Sequence, residues 1–263
     1  TTADKHTITG TDRMQQRPIR ILVDALRYLG ADITYLGNEG YPPLEITGRK
    51  LEGGHLDIAG DVSSQYISAL MMIGPALQNG LELKLNGEIA SRPYIDLTLW
   101  MMKEFGADAE WSDVDTITIM PKPYQNRPYT IESDWSGASY WYEIMALGSK
   151  NEKLKLEGLT DGSKQGDSVV KYLFSLLGIK TTFGSRKKNG TADVILTRHE
   201  SIVPRLDYDF INSPDLAQTL VVCCTLMEIP FHFTGLASLR IKETDRIDTL
   251  QIELKKRGVA IRE

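Results

Sequence analysis

The stretch LNGEIASRPYIDLTLWMMKEFG, residues 85–106, decides the fold class because its pattern recurs along the chain. A strand pattern ends at Gly87, a polar turn follows, and Ile95, Leu99 and Met102 then recur at helical spacing. Gly106 stands where a left-handed residue commonly ends a helix. Similar glycine pairs, with members about 20 residues apart, bracket three more candidate helices at Gly10/Gly30, Gly158/Gly178 and Gly235/Gly258.

A second kind of helix occupies the other half of each copy. These helices follow polar N-terminal signals, and their predicted ranges are 66–77, 138–147 and 216–227. The predicted repeating unit is strand-helix-strand-helix-strand, about 75 residues long. Such a unit predicts an α/β protein in which helices pack on sheets. The proline-rich segment 121–128 is the best linker candidate and places a domain boundary near residue 130.

Composition excludes several classes of function. The chain has 263 residues, 41% of them hydrophobic, and a net charge of −5, so no basic field favours nucleic acid or an acidic membrane. No apolar run approaches the roughly 20 residues that span a bilayer, and the first residues show no secretory signal. The adjacent Cys223 and Cys224 lie in an apolar run and are predicted to be buried thiols. We therefore expect a globular, cytoplasmic protein.

Cations recur where strands lead into the first kind of helix. Arg17, Arg92, Lys164 and the run Arg240–Arg246 occupy these junctions, and helix N-termini add exposed N–H donors that suit phosphate or carboxylate. Prolines follow Arg17 and Arg92, which we interpret as first-turn positions where proline is tolerated. Each arginine taken alone is more typical of a solvated helix start than of a binding site. Their recurrence favours an anion site.

The second kind of helix offers a different set of polar groups. Ser63, Ser64 and Gln65 present two hydroxyls and an amide at a helix start, although one serine could simply cap the helix. Asp215 could stabilise a helix N-terminus through its dipole, or act as a base for a substrate hydroxyl. The chain has no phosphate-loop, dinucleotide or zinc motif, and its four histidines lack ligand spacing. We expect no metal or nucleotide cofactor.

These motifs resemble, in the same order along the chain, those of the 5-enolpyruvylshikimate-3-phosphate synthases. The matching segments are Gln16–Ile19, Gly60–Gln65, Ser91–Asp96, Gln165–Asp167, Pro214–Asp215 and Arg240–Arg246. The resemblance covers essentially the whole chain and implies a two-lobed enolpyruvyl transferase fold with inverse α/β barrel lobes. It implies that residues 1–130 form a lobe, incomplete at its start, with most of the shikimate 3-phosphate contacts. Residues 131–263 would form the second lobe, incomplete at its end, with the catalytic carboxylates.

The resemblance also implies an activity and roles for individual residues. Members transfer the enolpyruvyl group of phosphoenolpyruvate to the 5-hydroxyl of shikimate 3-phosphate and release phosphate, in chorismate and aromatic amino-acid biosynthesis, and are glyphosate targets. Asp215 would contact this hydroxyl and take its proton, and Glu243 would take part in proton transfer at the methylene carbon. The implied shikimate 3-phosphate contacts are Ser63, Ser64, Gln65, Ser91, Tyr94 and Lys242. The implied phosphoenolpyruvate contacts are Arg17, Gln65 and Arg246.

The chain departs from the family pattern in three places. Ser238 stands at a substrate contact where many members carry asparagine. The family's front part, with a substrate-binding lysine and an asparagine-alanine-glycine loop, is absent, and so is the end with further cationic contacts. We therefore expect the chain to turn over poorly or not at all by itself. We also expect a monomer, although no sequence feature determines the oligomeric state.

Two alternatives stay open from the sequence. A UDP-N-acetylglucosamine enolpyruvyl transferase would perform the same chemistry on a nucleotide sugar, and competition by glyphosate would separate it from the shikimate enzyme. A non-catalytic remnant that binds ligand would release no phosphate from the two substrates.

Overall fold

The computed structural model describes residues 4–242 and 244–262. The chain divides into two compact units, Thr1–Arg127 and Pro128–Glu263. The division falls at the end of the proline-rich segment, close to the boundary that the sequence suggests. No helix within the described ranges combines the length and the apolarity needed to cross a bilayer.

The first unit begins with a three-stranded antiparallel sheet. Its strands are β1 (Lys5–Ile8), β2 (Asp32–Tyr35) and β3 (Leu44–Thr47). Strand β3 lies in the middle and pairs with both others. Helix α1 (Arg20–Tyr28) connects β1 to β2, and its Val23 shares a small buried cluster with Ile33 and Leu44. This cluster fixes the helix on its sheet through burial of apolar side chains.

The larger sheet of the first unit combines parallel and antiparallel pairing. Its strands are β4 (Gly54–Ala59), β5 (Leu81–Asn86), β6 (Ala109–Trp111) and β7 (Thr116–Ile119). They are ordered β4-β5-β7-β6, and only β4 and β5 run parallel. Helices α2 (Ser64–Ile73) and α3 (Arg92–Glu104) follow β4 and β5 along the chain. Alternate residues of β5, namely Leu81, Leu83 and Leu85, are buried in a core shared with these helices.

The second unit contains five strands and four helices among its described residues. Its strands are β8 (Lys153–Leu159), β9 (Ile179–Phe183), β10 (Ala192–Arg198), β11 (Leu206–Asp209) and β12 (Phe231–Thr234). Its helices are α4 (Trp135–Leu147), α5 (Val170–Leu176), α6 (Ala217–Leu226) and α7 (Arg246–Lys255). Strands β8, β10 and β9 form an antiparallel sheet, whereas β11 and β12 form a parallel pair. The core surrounds the fully buried Trp135, Tyr142, Phe174 and Phe210.

The structure confirms the helices of the repeat and the residues that end them. Gly30, Gly106, Gly178 and Gly258 all have positive φ just beyond α1, α3, α5 and α7. The unit contains more strands than the sequence pattern suggests. Three strands, β2 to β4, separate α1 from α2, and β9 to β11 likewise separate α5 from α6.

Two predictions about helix starts have opposite outcomes. Pro93 lies in the first turn of α3, as predicted. The prediction for Pro18 is wrong, because α1 begins at Arg20 and its N-cap is Ile19. Arg17 therefore lies on extended backbone, directly after the short 3-10 helix Met14–Gln16, and not in a helical first turn.

Candidate functional site

In the first unit, the parallel pair β4 and β5 positions the predicted serine residues. Ala59 pairs with Asn86 at the carboxyl ends of these strands, and the loops that follow lead into α2 and α3. The segment Ser63–Gln65 therefore begins at the same sheet edge as the segment Ser91–Tyr94. Ligands of α/β proteins commonly bind outside the carboxyl ends of parallel strands.

Gly60 joins these two loops through backbone contacts. Its N–H donates to the carbonyl of Asn86 at 2.7 Å, and its own carbonyl accepts from Ala90 N–H at 3.1 Å. A Cβ atom at this position would lie 2.8 Å from the carbonyl oxygen of Glu88. Only glycine permits such a close approach. The separation of the two loops is thus set by the main chain.

The serine hydroxyls at the start of α2 do not cap this helix. Ser63 is the N-cap, but within the described residues its hydroxyl makes no capping hydrogen bond. Ser64 is the first helical residue, and Gln65 is exposed. The alternative in which a serine hydroxyl caps α2 is therefore wrong.

Ser91 adopts a backbone conformation that is rare for a residue with a side chain. It is the N-cap of α3 with φ 54° and ψ 35°, in the left-handed region. Its carbonyl accepts from the N–H of Tyr94 at 3.0 Å, which places Tyr94 in the first turn of α3. Left-handed geometry costs a non-glycine residue about 1–2 kcal/mol, and such strain concentrates at functional sites. We take Ser91 as independent support for a site at this loop.

Arg17 is brought to the start of α2 by a tyrosine that the sequence analysis did not single out. The Tyr66 hydroxyl donates to the carbonyl of Pro18 at 2.6 Å. Burial raises the pKa of Tyr66, while the positive charge of Arg17 acts in the opposite direction. The first unit therefore gathers three segments with predicted site residues at one end of its larger sheet.

In the second unit, the predicted residues meet in an ion-paired cluster. Asp215 lies in a short 3-10 helix, Pro214–Leu216, that leads from β11 into α6. Its Oδ1 accepts from Arg246 Nη1 at 2.8 Å and lies 3.3 Å from Lys242 Nζ. The three side chains are only 23–31% exposed. Charge-assisted contacts of this kind are stronger when partly shielded from water.

Gly235 permits a close backbone approach in the second unit, as Gly60 does in the first unit. Phe210 N–H donates to the carbonyl of Thr234 at 2.9 Å, which joins the segments that follow β11 and β12. Gly235 has φ +72°, and a Cβ there would overlap Asp209 Oδ1 and the backbone nitrogen of Ile211. The loops that carry Asp215 and Lys242 are therefore also held by a close backbone approach.

The remaining predicted residues of this unit have different outcomes. Ser238 is partly buried in the 3-10 helix Ala237–Ile241, in the connection that also carries Lys242. Glu243 lies outside the described residues. Arg240 Nη1 lies 2.9 Å from Asp245 Oδ2 and 3.3 Å from Asp248 Oδ1. This part of the charged run is a surface network of the kind that a solvated helix start predicts.

Sequence reasoning missed two residues of the cluster in the second unit. Gln218 Oε1 accepts from Arg246 Nη1 at 3.1 Å, and Gln218 Nε2 donates to the Tyr140 hydroxyl at 2.7 Å. The available signal was that Gln218 follows Asp215 by three positions in an otherwise apolar helix, which places both on one face.

Burial raises the pKa values of other titratable groups in the second unit. Cys223 and Cys224 are fully buried free thiols, which confirms that prediction, and burial raises the pKa of Cys224 to about 12. Burial also raises the pKa of Glu143 to about 6. Among the residues that the structure describes, no three His, Cys, Asp or Glu side chains are grouped to hold a metal ion.

A family model and curated relatives identify the same protein family for this chain. The family model described as EPSP synthase (3-phosphoshikimate 1-carboxyvinyltransferase) matches residues 2–263. The chain is 58% identical over 257 residues to the 3-phosphoshikimate 1-carboxyvinyltransferase of Bacteroides fragilis (strain YCH46), covering 96% of this chain and 60% of that protein. It is 36% identical over 258 residues to the enzyme of that name from Actinobacillus pleuropneumoniae serotype 5b, covering 97% and 57%.

A solved structure shows the same fold. The EPSP synthase from Acinetobacter baumannii matches with a TM-score of 0.70 and 21% identity, over 96% of this chain and 56% of that one. This chain thus spans about 60% of the length of the curated relatives that it matches. The match over residues 2–263 and the 58% identity show that the chain belongs to the EPSP synthase family, with its two-unit α/β fold.

Proposed function

We propose that this chain carries part of the active site of a 3-phosphoshikimate 1-carboxyvinyltransferase of the shikimate pathway. The reaction transfers the enolpyruvyl group of phosphoenolpyruvate to the 5-hydroxyl of shikimate 3-phosphate and releases phosphate. The names of the relatives support the activity. The single observation that carries it on this chain is the Asp215 carboxylate, held by Arg246 and Lys242 at the end of a parallel strand pair.

The residues of the first unit suit the phosphorylated substrate. Ser63, Ser64, Gln65 and Ser91 offer neutral hydrogen-bonding groups at two helix starts, where exposed backbone N–H groups favour phosphate. Tyr94, in the first turn of α3, would lie against the ring of shikimate 3-phosphate. Arg17 would contact phosphoenolpyruvate together with Gln65. These assignments rest on the family motif and on the shared sheet edge.

The residues of the second unit suit the proton transfers. The 5-hydroxyl loses its proton to Asp215 as its oxygen forms a bond to C2 of phosphoenolpyruvate, while C3 gains a proton. The C2–O bond to phosphate then breaks, phosphate leaves, and C3 returns the proton as the double bond forms again. Glu243 is proposed for the proton at C3. Lys242 and Arg246 would stabilise the negative charge that develops on the substrates, and Ser238 would add a polar contact.

Phosphate release from the two substrates tests this function. We expect release that requires both substrates when the chain is extended to the length of its Bacteroides fragilis relative, and little from the present chain alone. Glyphosate should compete with phosphoenolpyruvate, and UDP-N-acetylglucosamine should not replace shikimate 3-phosphate. Absence of release at enzyme concentrations near those of the substrates would reject catalysis. The proposed enzyme is a cytoplasmic monomer, which size-exclusion chromatography with light scattering and cell fractionation would test.

A further inference from the structure

Gln218 connects the charged cluster of the second unit to helix α4. It lies in the first turn of α6 and contacts Arg246 through its carbonyl oxygen at 3.1 Å. Its amide nitrogen donates to the Tyr140 hydroxyl at 2.7 Å. The same Arg246 Nη1 donates to Asp215 at 2.8 Å. Groups from α4, α6 and α7 are thus linked in one chain of hydrogen bonds.

The chemistry of the partners determines the orientation of the Gln218 amide. A guanidinium group carries only donors, so only the amide oxygen can face Arg246. The amide nitrogen must then face Tyr140, whose hydroxyl oxygen accepts its proton. Nη1 carries two hydrogens, and both Asp215 and Gln218 accept from this nitrogen. Two acceptors on consecutive elements, the 3-10 helix Pro214–Leu216 and α6, therefore hold the Nη1 end of the guanidinium group.

The two acceptors differ in charge, and this difference has a functional consequence. The Asp215 carboxylate offsets positive charge on Arg246 and Lys242, whereas Gln218 holds the guanidinium group and adds no charge of its own. We propose that Gln218 is a positioning residue that orients Arg246 toward the anionic group of phosphoenolpyruvate. The proposal rests on the function proposed above and assigns a role to a residue outside the family motifs. Tyr140 supports the role by fixing the direction of the amide.

Two substitutions of nearly equal size separate positioning from simple packing. Gln218→Met removes both hydrogen bonds, and in the extended enzyme we expect the KM for phosphoenolpyruvate to rise about tenfold, as for loss of one hydrogen bond to a charged group. The KM for shikimate 3-phosphate should change less than about twofold. Gln218→Glu keeps an acceptor but adds a second negative charge beside Arg246, so its effect on the KM for phosphoenolpyruvate should be larger and should diminish only below about pH 4, as the new carboxyl is protonated. Gln251→Met makes the same change on α7 and is the matched control.

A spectroscopic measurement on the present chain tests the positioning directly. Rotation about the Cζ–Nη1 bond of Arg246, followed by NMR of labelled arginine, should be faster in Gln218→Met than in the unsubstituted chain or in Gln251→Met. Tyr140→Phe should give a smaller change in the same direction. Because this readout needs no turnover, absence of phosphate release would reject the proposed function while the rotation rate still decides whether Gln218 holds Arg246.

Several outcomes would overturn the proposal. The positioning role is wrong if Gln218→Met leaves the rotation of Arg246 unchanged at an unchanged Tm. Its link to phosphoenolpyruvate is wrong if rotation becomes faster while both KM values stay constant. Equal increases in both KM values together with a lower Tm would show that Gln218 only packs the unit.

Discussion

The strained Ser91 permits a test in which stability and ligand binding change in different ways. Replacing Ser91 with glycine removes a left-handed penalty of about 1–2 kcal/mol. It adds about 0.5–1 kcal/mol of backbone entropy lost on folding. At φ 54° and ψ 35° we therefore expect Ser91→Gly to stabilise the first unit by about 0.5–1 kcal/mol, a rise in Tm of a few degrees. Ser91→Ala keeps the penalty and should leave stability nearly unchanged.

The affinity for shikimate 3-phosphate should depend on the Ser91 hydroxyl and not on the backbone conformation of this residue. Both variants lose the side-chain oxygen, so both should bind this ligand about tenfold more weakly by titration calorimetry. Glu228, with φ 56°, is the other non-glycine residue with positive φ among the described residues, and it follows α6. Glu228→Gly is the matched control, because it should stabilise the second unit to a similar extent and leave binding intact.

Thermal unfolding and calorimetry together would refute this reasoning in two ways. If Ser91→Ala gains as much stability as Ser91→Gly, the left-handed backbone is not the source of strain. If both variants retain the affinity of the unsubstituted protein, the hydroxyl does not contact the ligand, and the proposed role of Ser91 is wrong.

Three further predictions concern the second unit. Asp215→Ala should lower turnover of the extended enzyme by about 10²-fold or more in the phosphate-release assay while substrate binding changes little, and equal turnover would leave Asp215 only an ion-pair partner. Gly235→Ala should destabilise the unit by about 2–4 kcal/mol in urea unfolding, because its Cβ would overlap backbone that cannot move, whereas Gly258→Ala, with open space around it, should cost about 1 kcal/mol. Similar losses in both would contradict the overlap argument. Burial raises the pKa of Glu143 from 4.5 to about 6, so its contribution to stability should be lost as pH rises through this interval. Glu143→Gln should remove this pH dependence and stabilise the unit at pH 7 by about 1 kcal/mol, allowing for partial exposure; an unchanged slope would contradict it.

The parts of the fold predicted correctly from the sequence depend on local backbone chemistry. Gly106 ends α3 because a positive φ is accessible to glycine, and Pro93 fits a first turn that needs no N–H. The same signal failed for Pro18, because proline is also compatible with the extended residues before a helix. The repeat pattern predicts one strand between α1 and α2, and two of the three observed there were missed, since β2 and β3 have only four residues each, too few for a clear alternating pattern.

Residues of the candidate site could be predicted from the sequence where a single charged residue is conspicuous by itself. Asp215, Lys242 and Arg246 stand out in sequence as charges beside helix starts, and the structure brings them into contact. Gln218 could not be found in this way, because its contacts are with Tyr140 and Arg246, which lie in distant parts of the chain. The conformation of Ser91 is likewise imposed by the loops around it, since serine has no intrinsic preference for positive φ.

The turn between β9 and β10, residues 184–191, offers a practical use of this architecture. Gly178 and the other glycines with positive φ end the helices at defined positions. An engineered insertion is therefore better placed in a connecting turn than in a helix. Residues 184–189 of this turn are exposed, and the hydrogen bond from Gly184 N–H to the carbonyl of Asp193 closes the turn next to the strands. A fluorophore or a small inserted domain placed at Lys188 should therefore report on the second unit without changing its folding.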